Sequence, residues 1–228
     1  MSRRTTAIAA ALSVLALGSP LISGCANPLA INAYNSGLEK YEQGDYPGAI
    51  ADYTKAIKIN PHDSRYYYNR AHAKGDLKDY HEAIADYSKA IEINPQDANA
   101  YNNRGVSKSD LKDYQGAISD YGKAIQIDPK NAEAYYNSGN AKYTLKGYRE
   151  AIDDYSSAIA INPKYAIAYS ARGISKELIA DLKGACRDWR KAADFGLTEP
   201  AEWAKKQCWH LKLSDFNDFE ALPRRKAG

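Results

Sequence analysis

The chain has 228 residues, with 31 Lys and Arg against 28 Asp and Glu, and a formal net charge of +3. So small an excess gives no basic field for nucleic acid. Length alone is compatible with one or two domains, and the 19 tyrosines and 3 cysteines need placing before anything else is read from the composition.

The N-terminus, "MSRRTTAIAAALSVLALGSPLISGCANP", carries Arg3 and Arg4 and then an apolar run from Ala7 to Leu17. The run is too short to span a bilayer and predicts a secretory signal over residues 1–24. It ends in Ile22-Ser23-Gly24-Cys25, which resembles a bacterial lipobox, where cleavage precedes a lipid-bearing cysteine. The resemblance implies lipidation at Cys25 and a short tether over 25–29. Cleavage nearby, with Cys25 lost or idle, is the other reading. Loss of residues 1–24 removes Arg3 and Arg4 only, so Lys plus Arg falls from 31 to 29 and the net charge from +3 to +1.

Next come near-identical lines: "DYPGAIADYTKAIKINP" at 45–61, "DYHEAIADYSKAIEINP" at 79–95, "DYQGAISDYGKAIQIDP" at 113–129 and "GYREAIDDYSSAIAINP" at 147–163. A degraded copy, "DLKGACRDWRKAADFGL", covers 181–197, and Pro61, Pro95, Pro129 and Pro163 are spaced 34 residues apart. A fixed period of this length predicts a solenoid. Each unit reads as two helices. Ala83, Tyr87 and Ala90 share one face of the second. A small residue (Gly37, Ala71, Gly105, Gly139 or Gly173) lets the first helix approach it closely. Asp45, Asp79, Asp113 and Asp181 suit the N-cap of each second helix, and Glu82 completes a capping box with Asp79. Asp63, Asp97 and Asn131 suit the N-caps of the next first helices. Fifteen of the 19 tyrosines fall on four recurrent positions and are assigned to the scaffold.

These residues resemble the tetratricopeptide repeat family, whose pattern sets aromatics, small residues and a proline at fixed offsets in 34 residues. The departures are Lys40, Lys74, Lys108, Lys142 and Lys176 at a usually aromatic position, Ala33 for the first aromatic, and Leu197 for the last proline. The resemblance implies an all-α, right-handed superhelical solenoid of five helix pairs over 30–63, 64–97, 98–131, 132–165 and 166–199. A capping helix is expected at 200–213, with Trp203 where a sixth copy would place its first aromatic, and a loose basic tail at 214–228. Cys186 and Cys208 either form a disulfide that pins this last helix or remain two small buried residues.

Chemistry-bearing motifs are scarce. His62, His72, His81 and His210 lack metal-ligand spacing, and there is no phosphate loop or nucleophile motif. The expectation is a protein that is not an enzyme, with no cofactor, metal, nucleic acid or small-molecule substrate. Activity is expected on a surface. On the first helices Asn35, Asn69, Asn103 and Asn137 occupy one register, flanked by Tyr34, Tyr68, Asn102 and Tyr136. By family resemblance that side is the concave groove. Amides offer donors and an acceptor, so the ladder suits an extended peptide backbone. Alternatively, the asparagines couple adjacent helices. A Lys/Asn/Arg carboxylate clamp is absent: only its asparagines match, and Glu42, Asp76 and Asp110 make the groove lean acidic. Lys at position 11 and Asp at position 23 recur in all five copies and predict partly exposed ion pairs at the edge of each seam.

Taken together, the residues and the resemblance predict a membrane-tethered scaffold for protein–protein interaction, exported to the periplasmic face of the outer or inner membrane. It would hold an extended peptide or helix, in envelope or complex assembly. A self-associating structural solenoid is the alternative.

Overall fold

A computed structural model of the chain describes residues 27–208. The signal region, Cys25, residues 209–213 of the expected capping helix and the tail at 214–228 lie outside the described residues. Within them the chain forms eleven α-helices and no strand. The first helices are α1 (Pro28–Glu42), α3 (Ser64–Asp76), α5 (Ala98–Asp110), α7 (Ala132–Thr144) and α9 (Ala166–Leu178). Their partners are α2 (Tyr46–Ile59), α4 (Tyr80–Ile93), α6 (Tyr114–Ile127), α8 (Tyr148–Ile161) and α10 (Leu182–Asp194), and α11 (Thr198–Gln207) closes the array.

Caps set the helix starts. Asp45, Asp113 and Asp181 accept from the backbone N–H of Gly48, Gly116 and Gly184, each at 2.9 Å. Asp63, Asp97 and Asn131 cap α3, α5 and α7 through Arg65, Ala100 and Ala134. The capping box expected at Asp79 and Glu82 does not form: Asp79 makes no side-chain cap, and the Glu82 carboxylate lies 3.7 Å from Lys74 Nζ. Side chains cap the second helix only where glycine stands three residues on, because a Cβ there would meet the aspartate oxygen at about 2 Å. The turn inside each pair uses a left-handed residue, Gly44 in copy one and Lys78, Lys112, Lys146 and Ala180 in the others. That conformation favours glycine, and sequence reading did not flag it.

Packing follows the small–large pattern. Ala49, Ala83, Ala117, Ala151 and Ala185 are fully buried, as are Ala56, Ala90, Ala124, Ala158 and Ala192. Tyr53, Tyr87, Tyr121, Tyr155 and Trp189 fill the space between paired helices. A Cβ on Gly105 would sit 2.7 Å from the Tyr121 ring, and one on Gly173 would sit 2.6 Å from Trp189. Each pair packs on the next, and α3 touches α5, α5 touches α7 and α7 touches α9. The odd helices therefore form the inner wall of the bend. No unit can cover its own apolar face, so the neighbours supply the core.

The recurrent Lys–Asp pairs form in all five copies, at 2.5–2.8 Å. Their lysines are partly exposed at the seam, as the sequence predicts, but the carboxylates lie deeper than it implies. Asp52, Asp86, Asp120 and Asp188 are at most 5% exposed, and each carboxylate takes more than one donor. Arg70, Arg104 and Arg172 bind Asp86, Asp120 and Asp188 through two nitrogens. Their remaining nitrogen donates to Thr54, Ser88 and Ser156 of the preceding copy. In copies one and four Ser36 and Ser138 replace the arginine and donate to Asp52 and Asp154.

α11 begins at Thr198, two residues before the expected start, and its last residue is Gln207, with Cys208 as C-cap. Cys186 and Cys208 are bonded, with Cα atoms 5.8 Å apart, and both are fully buried beside Ala185, Trp189, Leu182, Trp203 and Ala204. Closing a loop of this length contributes about 3 kcal/mol in the chain-entropy account.

Candidate binding groove

The inner wall carries the residues singled out from the sequence, in two different states. Asn35 is exposed, and Asn69, Asn103 and Asn137 are half-buried. Asn69 Nδ2 donates to Tyr34 Oη of the preceding copy at 2.9 Å and to its own helix at Arg65 O. The carbonyl partner fixes the amide orientation, leaving Oδ1 as the acceptor on the other side. Asn103 Nδ2 donates to Tyr68 Oη at 2.9 Å, and Asn137 Nδ2 to Asn102 Oδ1 at 3.2 Å. The ladder thus ties successive copies together, as the coupling reading of the sequence requires, while each asparagine still reaches the surface.

Asn102 is only 3% exposed. It is a strut beneath the surface, held between Asn103 and Asn137, so it offers little to a ligand. Tyr34, Tyr68 and Tyr136 are half-buried. They lean on Tyr53, Tyr87 and Tyr155 with ring centroids 5.7–5.9 Å apart. Because Tyr34 and Tyr68 accept from asparagine, their own hydroxyl protons are available to donate. Burial pushes the phenol of Tyr68 up, and the nearby Asp97 and Glu133 carboxylates push it further. Burial also pushes Tyr53 and Tyr121 up to about 12.

Two features of the groove were not legible beforehand. Between copies two and three lies a cavity of about 200 Å³ lined by His72, Asp76, Tyr87, Asn103, Val106 and Asp110. At its rim Tyr41 Oη donates to Asp76 at 2.5 Å and sits 2.7 Å from His72 Nδ1. At the far end is a cavity of about 490 Å³, walled by Tyr136, Ile167, Ala171, Ile174, Pro200 and Trp203 among others. Here Ile167 is 42% exposed. The signal was present at Ile167 and Ile174, which stand in the last copy at registers held by Glu133 and Asn140 in the copy before. The seam between copies two and three offers acceptors and phenolic donors, and the C-terminal cavity offers apolar surface bordered by Ser170, Thr198 and Glu199.

Among the described residues no group of three or more His, Cys, Asp or Glu side chains is arranged to hold a metal. No described helix is long and apolar enough to cross a membrane.

The family described as TPR repeat matches residues 37–77, 109–146 and 139–177, and the tetratricopeptide repeat matches residues 64–97 and 87–119. Solved structures share the fold. A crystal structure of MamA is 26% identical with a TM-score of 0.67, covering 70% of this chain and 93% of its own. YrrB, described as a TPR protein with an unusual peptide-binding site, is 20% identical with a TM-score of 0.66, covering 78% and 92%. PilF of Pseudomonas aeruginosa is 17% identical with a TM-score of 0.69, covering 81% and 90%.

Proposed function

Because the chain belongs to the tetratricopeptide repeat family, we propose that it is a scaffold for protein–protein interaction whose inner groove grips an extended segment or a helix of a partner. One observation carries this reading. The inner wall is a continuous strip on which polar side chains remain half-exposed, although their inter-copy bonds could have been made under cover. Asn69 keeps an acceptor available and Tyr34 and Tyr68 keep a donor available. An extended backbone presents the complementary groups at every residue.

Export and tethering by a lipid on Cys25 complete the proposal and place the groove in the cell envelope. Support comes from the N-terminal sequence, where a short apolar run meets Ser23-Gly24-Cys25. Replacement of Cys25 by Ser should release the protein from the membrane fraction. Retention of that variant in the pellet would remove the tether from the proposal.

A photoreactive residue at Val106, which is 37% exposed beside the polar cavity, tests the groove in cells. Adducts with a different polypeptide support partner binding. Adducts solely between copies of this chain would replace it with self-association.

A further inference from the structure

On the reading that the inner wall is a binding groove, we propose that the cavity between copies two and three selects the partner by receiving one of its lysine or arginine side chains. The preceding seam shows how this cavity arises. Between copies one and two, Tyr41 stacks on Tyr46 with ring centroids 5.3 Å apart, and its hydroxyl donates to Asp76 of the next copy. Copy four repeats the stack with Tyr143 on Tyr148, at 5.5 Å. Copy two has Gly75 at that register. Tyr80 therefore receives no ring from it, and a Cβ at Gly75 would meet nothing within 4 Å. Asp110, the counterpart of Asp76, lines the cavity and makes no hydrogen bond or ion pair among the described residues.

A buried group points the same way. Tyr87 lines the cavity and is 3% exposed. Its counterparts Tyr121 and Tyr155 bond to Ser109 and Asn140. In copy two the first of those registers is Gly75. The second is His72, whose Nδ1 lies 2.7 Å from Tyr41 Oη instead. Asn103 stands beside the Tyr87 hydroxyl as a donor, and no acceptor among the described residues takes its proton. A phenol can both receive an N–H and donate to a carbonyl, and a basic residue brings both. An anion would be repelled by Asp76 and Asp110. An apolar side chain would cover Asp110 without giving it a donor, which is the costlier outcome. A lysine or arginine supplies the donor that Tyr41 supplies one copy earlier, and its methylenes can lie on Val106 and Tyr80. At about 200 Å³ the space is smaller than the roughly 300 Å³ and upwards of sites that enclose whole small molecules, and it suits one side chain. Asn103 belongs to both the cavity and the ladder, so a backbone lying along the ladder presents its side chain here.

The test uses the full chain, purified and oxidised, with backbone amide NMR shifts as the readout. The probes are N-acetyl-lysine methylamide and N-acetyl-arginine methylamide, with N-acetyl-norleucine methylamide as the uncharged control. The cations should bind saturably, shift the amides of Gly75, Asp76, Val106 and Asp110, and bind at least about tenfold more tightly than the control, as hydrogen bonds to charged groups imply. Asp110→Asn keeps the shape and should remove most of that preference. Gly75→Tyr should abolish the shifts by restoring the ring of copies one and four, and melting should hold or rise because glycine is a poor helix former. Should that variant fail to fold, Asp110→Asn decides alone. A control bound as tightly as the cations, no saturable shift, or cation binding indifferent to the substitutions would overturn the proposal. Capture of a foreign polypeptide at Val106 in cells alongside such a negative result would leave the groove's function standing and remove its preference for a basic residue. Cation binding alongside adducts solely between copies of this chain would remove the partner, and the proposal with it.

Discussion

The seam between copies two and three and the seam between copies three and four share one backbone period but are joined differently. At the first, Arg104 binds Asp120 in its own copy and Ser88 in the copy before, and Asn103 bonds Tyr68. At the second, Ser138 stays within its own copy on Asp154. Gly122 stands where Ser88 would be, and the rung is the amide pair Asn137–Asn102. Where the preceding copy offers a hydroxyl (Thr54, Ser88 or Ser156), the next offers an arginine (Arg70, Arg104 or Arg172). Satisfying the buried carboxylate is therefore obligatory in every unit, whereas stapling one unit to the next is a separate choice.

The largest effect expected from this contrast is at the carboxylates. Asp120→Ala would leave Arg104 and Lys108, both at most 21% exposed, without their anion, and should cost about 3–5 kcal/mol. Asp154→Ala removes a carboxylate already 14% exposed and strands one lysine, Lys142, and should cost about 2 kcal/mol. Urea melts with the disulfide intact would measure both, and equal losses would erase the distinction. Next in size, Gly122→Ser with Ser138→Arg should install the missing staple. The pair should be more stable than the sum of the two single changes by about 1 kcal/mol in a double-mutant cycle; simple additivity would mean the staple carries no coupling.

Smaller still, Lys108→Met should cost under about 1 kcal/mol, since its ammonium is partly solvated and Arg104 remains on the carboxylate. Capture from Val106 should be unchanged. Loss of capture at an unaltered melting temperature would transfer the lysine from the seam to the groove. The smallest expected effect is in acid. Lys40, then Lys55 and Ser36, hold the Asp52 carboxyl well below the usual carboxylate range. A depressed folded value stabilises above the unfolded carboxylate pKa of about 4 and is lost as pH falls below it. Asp52→Asn should therefore flatten the stability–pH curve below about pH 4 and leave its slope near neutrality unchanged; an unaltered acid limb would contradict that assignment.

Much of the scaffold was legible. Ala83, Tyr87 and Ala90 lie on one helical face by spacing alone, and Pro95 ends the unit by its own covalent geometry. Asp113 caps because its partner is three residues away. The errors arose where a second helix intervenes. Lys108 and Asp120 look like surface charges in the sequence, yet the helices close over the carboxylate. Asp79 and Glu82 have the right spacing for a capping box, but Lys74 from the preceding helix lies near Glu82 instead. Asn102 occupies a groove register by helical angle, but its neighbours bury it.

The sequence by itself determined the repeat, its helix pairs and their small–large packing, because these depend on contacts at fixed chain offsets within rigid helices. Only the tertiary structure decided which charges are dry, which asparagine is a strut and where the groove turns from polar to apolar. Those depend on how much of each side chain its neighbours cover, and coverage is set by the bend and stacking of several units at once, a sum that no spacing along the chain records.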